Sequence, residues 1–75
     1  MAQSFYDSVR WYRKAVAKGN PIAMLNLSFS CRRGEGCSRD LVEARAWALK
    51  AASIDQCKDA AINQLSLIGV ELSKS

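Results

Sequence analysis

The sequence predicts an all-α fold, four antiparallel helices forming a solenoid fragment, on three observations. No segment alternates apolar and polar residues with the period of two that marks a half-buried strand. Apolar residues recur at helical steps instead, and glycine, asparagine and proline divide them into four runs. One motif also occurs twice. Trp11, Lys14 and Ala15 fall on Trp47, Lys50 and Ala51 at an offset of 36 residues, and Asp7 falls on Glu43. A period of roughly 20–50 residues marks a solenoid unit, in which each helix pair buries its apolar face on the next.

Residues 4–18 read as the first helix. Phe5, Val9, Tyr12 and Val16 give one apolar face, with Ser8, Trp11 and Ala15 beside it. Arg10, Arg13, Lys14 and Lys18 occupy the rest, biased toward the C-terminal end where the helix dipole favours cations. Gly19 stops the helix, since glycine accepts a left-handed backbone at little cost. Asn20 caps the second helix and Pro21 suits its first position, where a missing N–H is harmless. That helix runs over residues 21–32, with Ile22, Leu25 and Phe29 on one side and Met24 and Leu27 beside them. A two-residue turn makes the first two helices an antiparallel hairpin.

Residues 33–39 contain Gly34 and Gly36 and read as a loop. Asp40 with Glu43 three residues on has the form of a capping box and opens a third helix that runs to residue 53. Its expected inner side is small: Ala44, Ala48, Ala51 and Ala52, with Leu41 and Trp47. Asp55 is the expected cap of a fourth helix over residues 57–73, where Ala61, Leu65, Ile68 and Leu72 follow helical spacing. Residues 23–29 echo residues 61–67 at an offset of 38, so helices two and four are one type and helices one and three the other. The whole chain, 1–75, reads as one unit: a half-repeat 4–19, a full repeat 20–54 and a half-repeat 55–73.

Seventy-five residues make one domain at most, with a limited core. Net charge is +4 with a pI near 9.3, which permits an acidic partner or nucleic acid without requiring either. There is no histidine, which removes the commonest general base and the commonest metal ligand. Cys31, Cys37 and Cys57 are odd in number and include no Cys-x-x-Cys pair, so neither an obligate disulfide framework nor a zinc site is expected. The start of the chain lacks a basic stretch followed by an apolar one, and no apolar run is long enough to span a bilayer; the expectation is a soluble, cytoplasmic protein without membrane association.

Ala23, Leu27, Gly34, Glu35, Gly36, Asp40, Ala44, Trp47, Lys50, Ala51 and Ala52 together resemble the Sel1-like repeat family, relatives of the tetratricopeptide repeats. The segment from Trp11 to Ala15, followed by Gly19 and Asn20, repeats the second half of that pattern. Ser28 stands where the family usually has Gly, Cys31 where it has Tyr, and Cys37 where it has Val. Val16 and Met24 occupy positions that carry disulfides in a secreted branch, so that branch is not implied. The resemblance implies a right-handed α-solenoid that binds proteins, with no catalysis and no cofactor of its own.

Function is therefore expected to be non-catalytic interaction or scaffolding through a protein partner, by self-association or as an adaptor. A small basic nucleic-acid-binding protein is the alternative. Tyr12, with Arg10, Arg13 and Lys14, is the candidate partner-binding set, because a tyrosine hydroxyl can face solvent beside basic groups. A solvated basic helix face explains the same cations more simply, which weighs against nucleic acid. Trp11 and Trp47 are read as inward-facing core residues, and the cysteines as small buried hydrophobes. Gly34-Glu35-Gly36 lacks the strand and the Lys-Ser/Thr of a phosphate loop. Stacked repeats need covered ends, so Phe5, Val9 and Val16 on helix one and Leu65, Ile68 and Leu72 on helix four are candidates for self-association, or for contact within a longer array.

Overall fold

The computed structural model describes residues 4–74. It contains four helices: α1 (Phe5–Ala17), α2 (Pro21–Arg33), α3 (Leu41–Ala52) and α4 (Lys58–Lys74). A 3-10 turn, Asp55–Cys57, leads into α4. Among the described residues there is no strand. Consecutive helices pack on one another, α2 on α3 and α3 on α4 most extensively. The thinnest dimension is 19 Å, two helix diameters of about 10 Å each, as an α-solenoid fragment of two layers requires.

The helix ends follow local chemistry. The Ser4 hydroxyl accepts from the Asp7 N–H at the start of α1. At its end, Asn20 N–H bonds Ala15 O and Gly19 N–H bonds Val16 O, the paired bonds of a Schellman motif, with Gly19 at φ +84°. The Asn20 side chain then accepts from Ile22 and Ala23 N–H, so a single turn closes one helix and caps the next. Asp40 caps α3 by accepting from Val42 and Glu43 N–H. The reciprocal half of a capping box is not made. Asp40 N–H instead donates to Cys31 O at 2.8 Å, tying the start of α3 to the last turn of α2. The chain enters α4 through the 3-10 turn in place of the expected Asp55 side-chain cap.

The core centres on α3. Ala44, Ala48 and Ala51 have no solvent exposure and let α2 and α4 approach closely. The buried Ser28 hydroxyl donates to Ala44 O at 2.8 Å across the α2–α3 contact, where a larger side chain would hold the helices apart. Cys31, Ala44, Ala48 and Ile68 form one apolar cluster, with Leu41, Trp47, Leu65 and Leu72 packed against it. Ala51, Cys57 and Ala61 form a second, against Met24 and Leu25.

The inner face of α2 is rotated from the expected one. Ala23, Leu27, Ser28 and Cys31 are buried, while Ile22 and Phe29 are exposed. Close helix approach selects small side chains over large ones at the contact, which hydrophobicity alone does not indicate. On α4 the Gln64 amide is buried and finds no protein hydrogen-bond partner. An unpaired amide of this kind costs roughly 1–3 kcal/mol, which the packing of α4 has to offset.

Two charged ties fasten the ends of the slab. Glu71 on α4 accepts from Arg32 at 2.8 Å and from Arg39 at 3.4 Å, joining α4 to α2 and to the loop. Hydrogen bonding from Arg32 is the main reason the Glu71 carboxyl sits below its usual range. The same loop lies on α1: a Cβ on Gly36 would overlap the Phe5 carbonyl and come within 2.8 Å of Val9 Cγ2, and Gly36 has φ +80°.

Two measurements follow. Gly36→Ala combines left-handed strain with backbone overlap and should destabilise by about 2 kcal/mol or more in urea unfolding. Gly69→Ala, in helical backbone with open space around it, should instead stabilise by up to about 1 kcal/mol. The second measurement concerns pH. A folded carboxyl held below the ordinary glutamate range contributes stability above that range and loses it as pH falls through the lower folded value. Glu71→Gln should therefore melt below wild type at neutral pH, and the gap should close in acid.

Candidate protein-docking surfaces

The two copies of the tryptophan motif have different surroundings. Trp47 is half-buried against the α3 cluster. Its indole N–H donates to Glu43 Oε2 at 3.1 Å, and the Lys50 ammonium lies 4.8 Å from the ring centre. The same Glu43 oxygen accepts from Arg13 of α1 at 3.3 Å. Arg13, Val16 and Ala17 form one wall of the cleft over Trp47, with Met24 and Lys50 beside them. So α1 faces Trp47 across an open cleft, and Glu43 accepts from both the indole N–H and the Arg13 guanidinium.

Trp11 shares the following Lys and Ala of the motif, Lys14 and Ala15, but is 64% exposed. The expectation that it faces inward is corrected. Among the described residues it packs against neither of the apolar clusters. It borders a hollow of about 310 Å³ shared with Asp7, Arg10 and Lys14. It also borders an apolar one of about 500 Å³ shared with Lys14, Ala15, Ala17 and Lys18.

The candidate partner-binding residues do not converge on one site. Arg10 and Lys14 flank Trp11. Arg13 points the other way and is engaged with Glu43. Tyr12 is half-buried and faces α2, lining a groove of about 300 Å³ with Phe5, Ser8, Asn26, Phe29, Ser30, Arg33 and Glu35.

The candidate self-association residues also separate. Phe5 is exposed. Val16, Leu65 and Leu72 are half-buried, Val16 in the cleft beside Trp47 and the two leucines against the α3 cluster. Val9, at 4%, and Ile68, at 0%, are core residues, so their expected exposure at the ends is corrected. The loop at Gly36 shields Val9, and Ile68 packs against Ala44 and Ala48. The large apolar side chains that α4 leaves open are Ile62, Leu67 and Val70, which the spacing argument passed over because it followed the inward phase of the helix.

Among the described residues, no group of three or more His, Cys, Asp or Glu side chains is placed to hold a metal ion, and no helix is long and apolar enough to cross a membrane. The surfaces on offer are apolar and basic hollows suited to another polypeptide. No curated protein and no solved structure matches the chain. The family model for the Sel1 repeat matches residues 3–20 and 21–55. Repeats of this kind are generally protein–protein interaction modules. With most of its length matched in that way, the chain belongs to the Sel1 repeat family.

Proposed function

We propose that the chain is a non-catalytic cytoplasmic interaction module that associates with further copies of itself, head to tail, through Trp11. The observation that carries this reading is the contrast between the equivalent residues Trp47, packed against the α3 cluster and sharing Glu43 with Arg13 of α1, and Trp11, 64% exposed.

The repeat logic names the complementary surface. Ser28 on α2 bonds α3 at Ala44. At the offset of 38, its counterpart on α4 is Ser66, which is exposed, and Ile62 and Val70 are exposed around it. At the offset of 36, the counterpart of Ala44 is Ser8 on α1. The α4 of one copy therefore fits against the α1 of the next as α2 fits against α3, and α3 then covers Trp11.

Charge favours that docking. The bond from Asp40 N–H to Cys31 O fixes α2 and α3 as antiparallel. The same arrangement between copies sets the exposed Asp55 and Asp59 near Lys14 and Lys18, and Lys74 near Asp7. An arrangement of this type uses two different surfaces and does not close, so assembly continues beyond a dimer.

Sedimentation velocity at rising micromolar concentration tests this. Wild type should show a mass that grows with concentration past the dimer. Trp11→Glu and Val70→Glu, both at exposed helix positions, should remain helical and monomeric. Each retains one intact end, so an equimolar mixture should form a dimer that extends no further. A wild-type chain that stays monomeric, or a mixture that never pairs, would overturn the proposal.

A further inference from the structure

The loop between α2 and α3 turns back on itself through Gly34 and Gly36, both at positive φ. That path returns Cys37 to the last turns of α2. Its Sγ lies 3.9 Å from Cys31 Sγ, and both thiols are free. Cys31 is 1% exposed and Cys37 is half-buried. Cys57 belongs to the separate cluster with Ala51 and Ala61.

We propose that Cys31 and Cys37 form a reversible oxidation site for hydrogen peroxide, whose product is an intrachain disulfide clasping α2 to the loop. The more accessible sulfur reacts first. The Cys37 thiolate attacks one peroxide oxygen, the O–O bond breaks, and the departing hydroxide takes up a proton as water. Cys37 then carries a sulfenic acid. Cys31 Sγ attacks Cys37 Sγ; the S–S bond forms, the S–O bond breaks, and the sulfenic hydroxyl leaves with the Cys31 proton as a second water. Two thiols and one peroxide give one disulfide and two waters, with the two electrons supplied by the sulfurs.

The order of steps has a physical basis. Burial first, then the neighbouring Cys37 thiol and the Glu43 carboxylate, push the Cys31 thiol up to about 12, so it is a poor initial target for an oxidant. Its closeness to Cys37 suits it to the resolving step. The sulfurs must close from 3.9 Å to about 2.05 Å, and the loop supplies that movement more readily than α2 does. The same loop holds Gly36 on α1 and Arg39 on Glu71. The clasp therefore stiffens the loop that bridges α1, α2 and α4.

The test uses the full chain, treated with hydrogen peroxide, alkylated, and digested with trypsin without reduction. Arg32 and Arg33 lie between the two cysteines, so the bond joins two separate peptides, residues 19–32 and 34–39. We expect that linked pair, at about 2 mass units below the sum of the reduced peptides, and its separation by dithiothreitol. Cys57→Ser should retain the pair and Cys37→Ser should abolish it. The oxidised chain should melt roughly 5 °C or more above the reduced one, since a short closed loop restricts the unfolded chain. Absence of the linked pair, linkage through Cys57, or a lower melting temperature on oxidation would overturn the proposal.

Discussion

The alanine face of α3 is the constraint on which the rest of the structure depends. Ala44, Ala48 and Ala51 are fully buried and short enough for α2 and α4 to close on both sides. That approach brings the Ser28 hydroxyl to the Ala44 carbonyl at 2.8 Å. It also places Leu27 and Ile68, the largest fully buried apolar side chains, in the interior. A chain of this size buries only about 60% of the surface its unfolded form exposes, so packing has little in reserve. The charged ties at Glu43 and Glu71 add little to it, since solvent screens partly exposed ion pairs. Their larger effect is on register: each joins elements distant in the chain and fixes how α1 and α4 sit on the central pair.

Trp11 and Trp47 show how one local motif takes two roles from its neighbours. Both sit three residues before a lysine and four after a carboxylate. Trp47 becomes part of the fold because it packs against the α3 cluster and shares the Glu43 carboxylate with Arg13 of α1. Trp11 has the same chemistry on an outer helix and presents it as surface. In a solenoid the core of one unit and the docking face of the last unit are the same structure, distinguished only by what lies beyond. The outer face of α1 combines an exposed indole with two small residues, Ala15 and Ala17.

Much of the fold was legible in the sequence because helix ends are encoded locally. Asn20, Asp40 and Gly19 act within one turn of where they stand, and their roles follow from side-chain oxygen or a missing Cβ. The α3 face was legible because alanine at helical spacing has few other uses. The exposure of Trp11 was not, because Trp11, Lys14 and Ala15 match Trp47, Lys50 and Ala51 and the difference in packing is tertiary. The inner face of α2 does not follow from hydrophobic size, because the close helix contact buries Ala23 and Ser28 and leaves Ile22 and Phe29 exposed. Glu43 was read as half of a capping box; its partners Arg13 and Trp47 lie across a helix layer and one turn along, beyond the reach of a local rule. The contact between Cys31 and Cys37 depends on the path of a loop with two left-handed glycines, which spacing alone does not specify.

The central claim is that Trp11 is an open position that a second copy covers, and its own fluorescence reads this most directly. Acrylamide quenching of a Trp47→Phe chain reports Trp11 alone, and that of a Trp11→Phe chain reports Trp47. In dilute solution Trp11 should be quenched far more readily than Trp47, and it should become protected as concentration rises into the assembly range, while Trp47 stays shielded throughout. A Trp11 that is as shielded as Trp47 in the dilute chain, or that remains open at every concentration, would contradict the account.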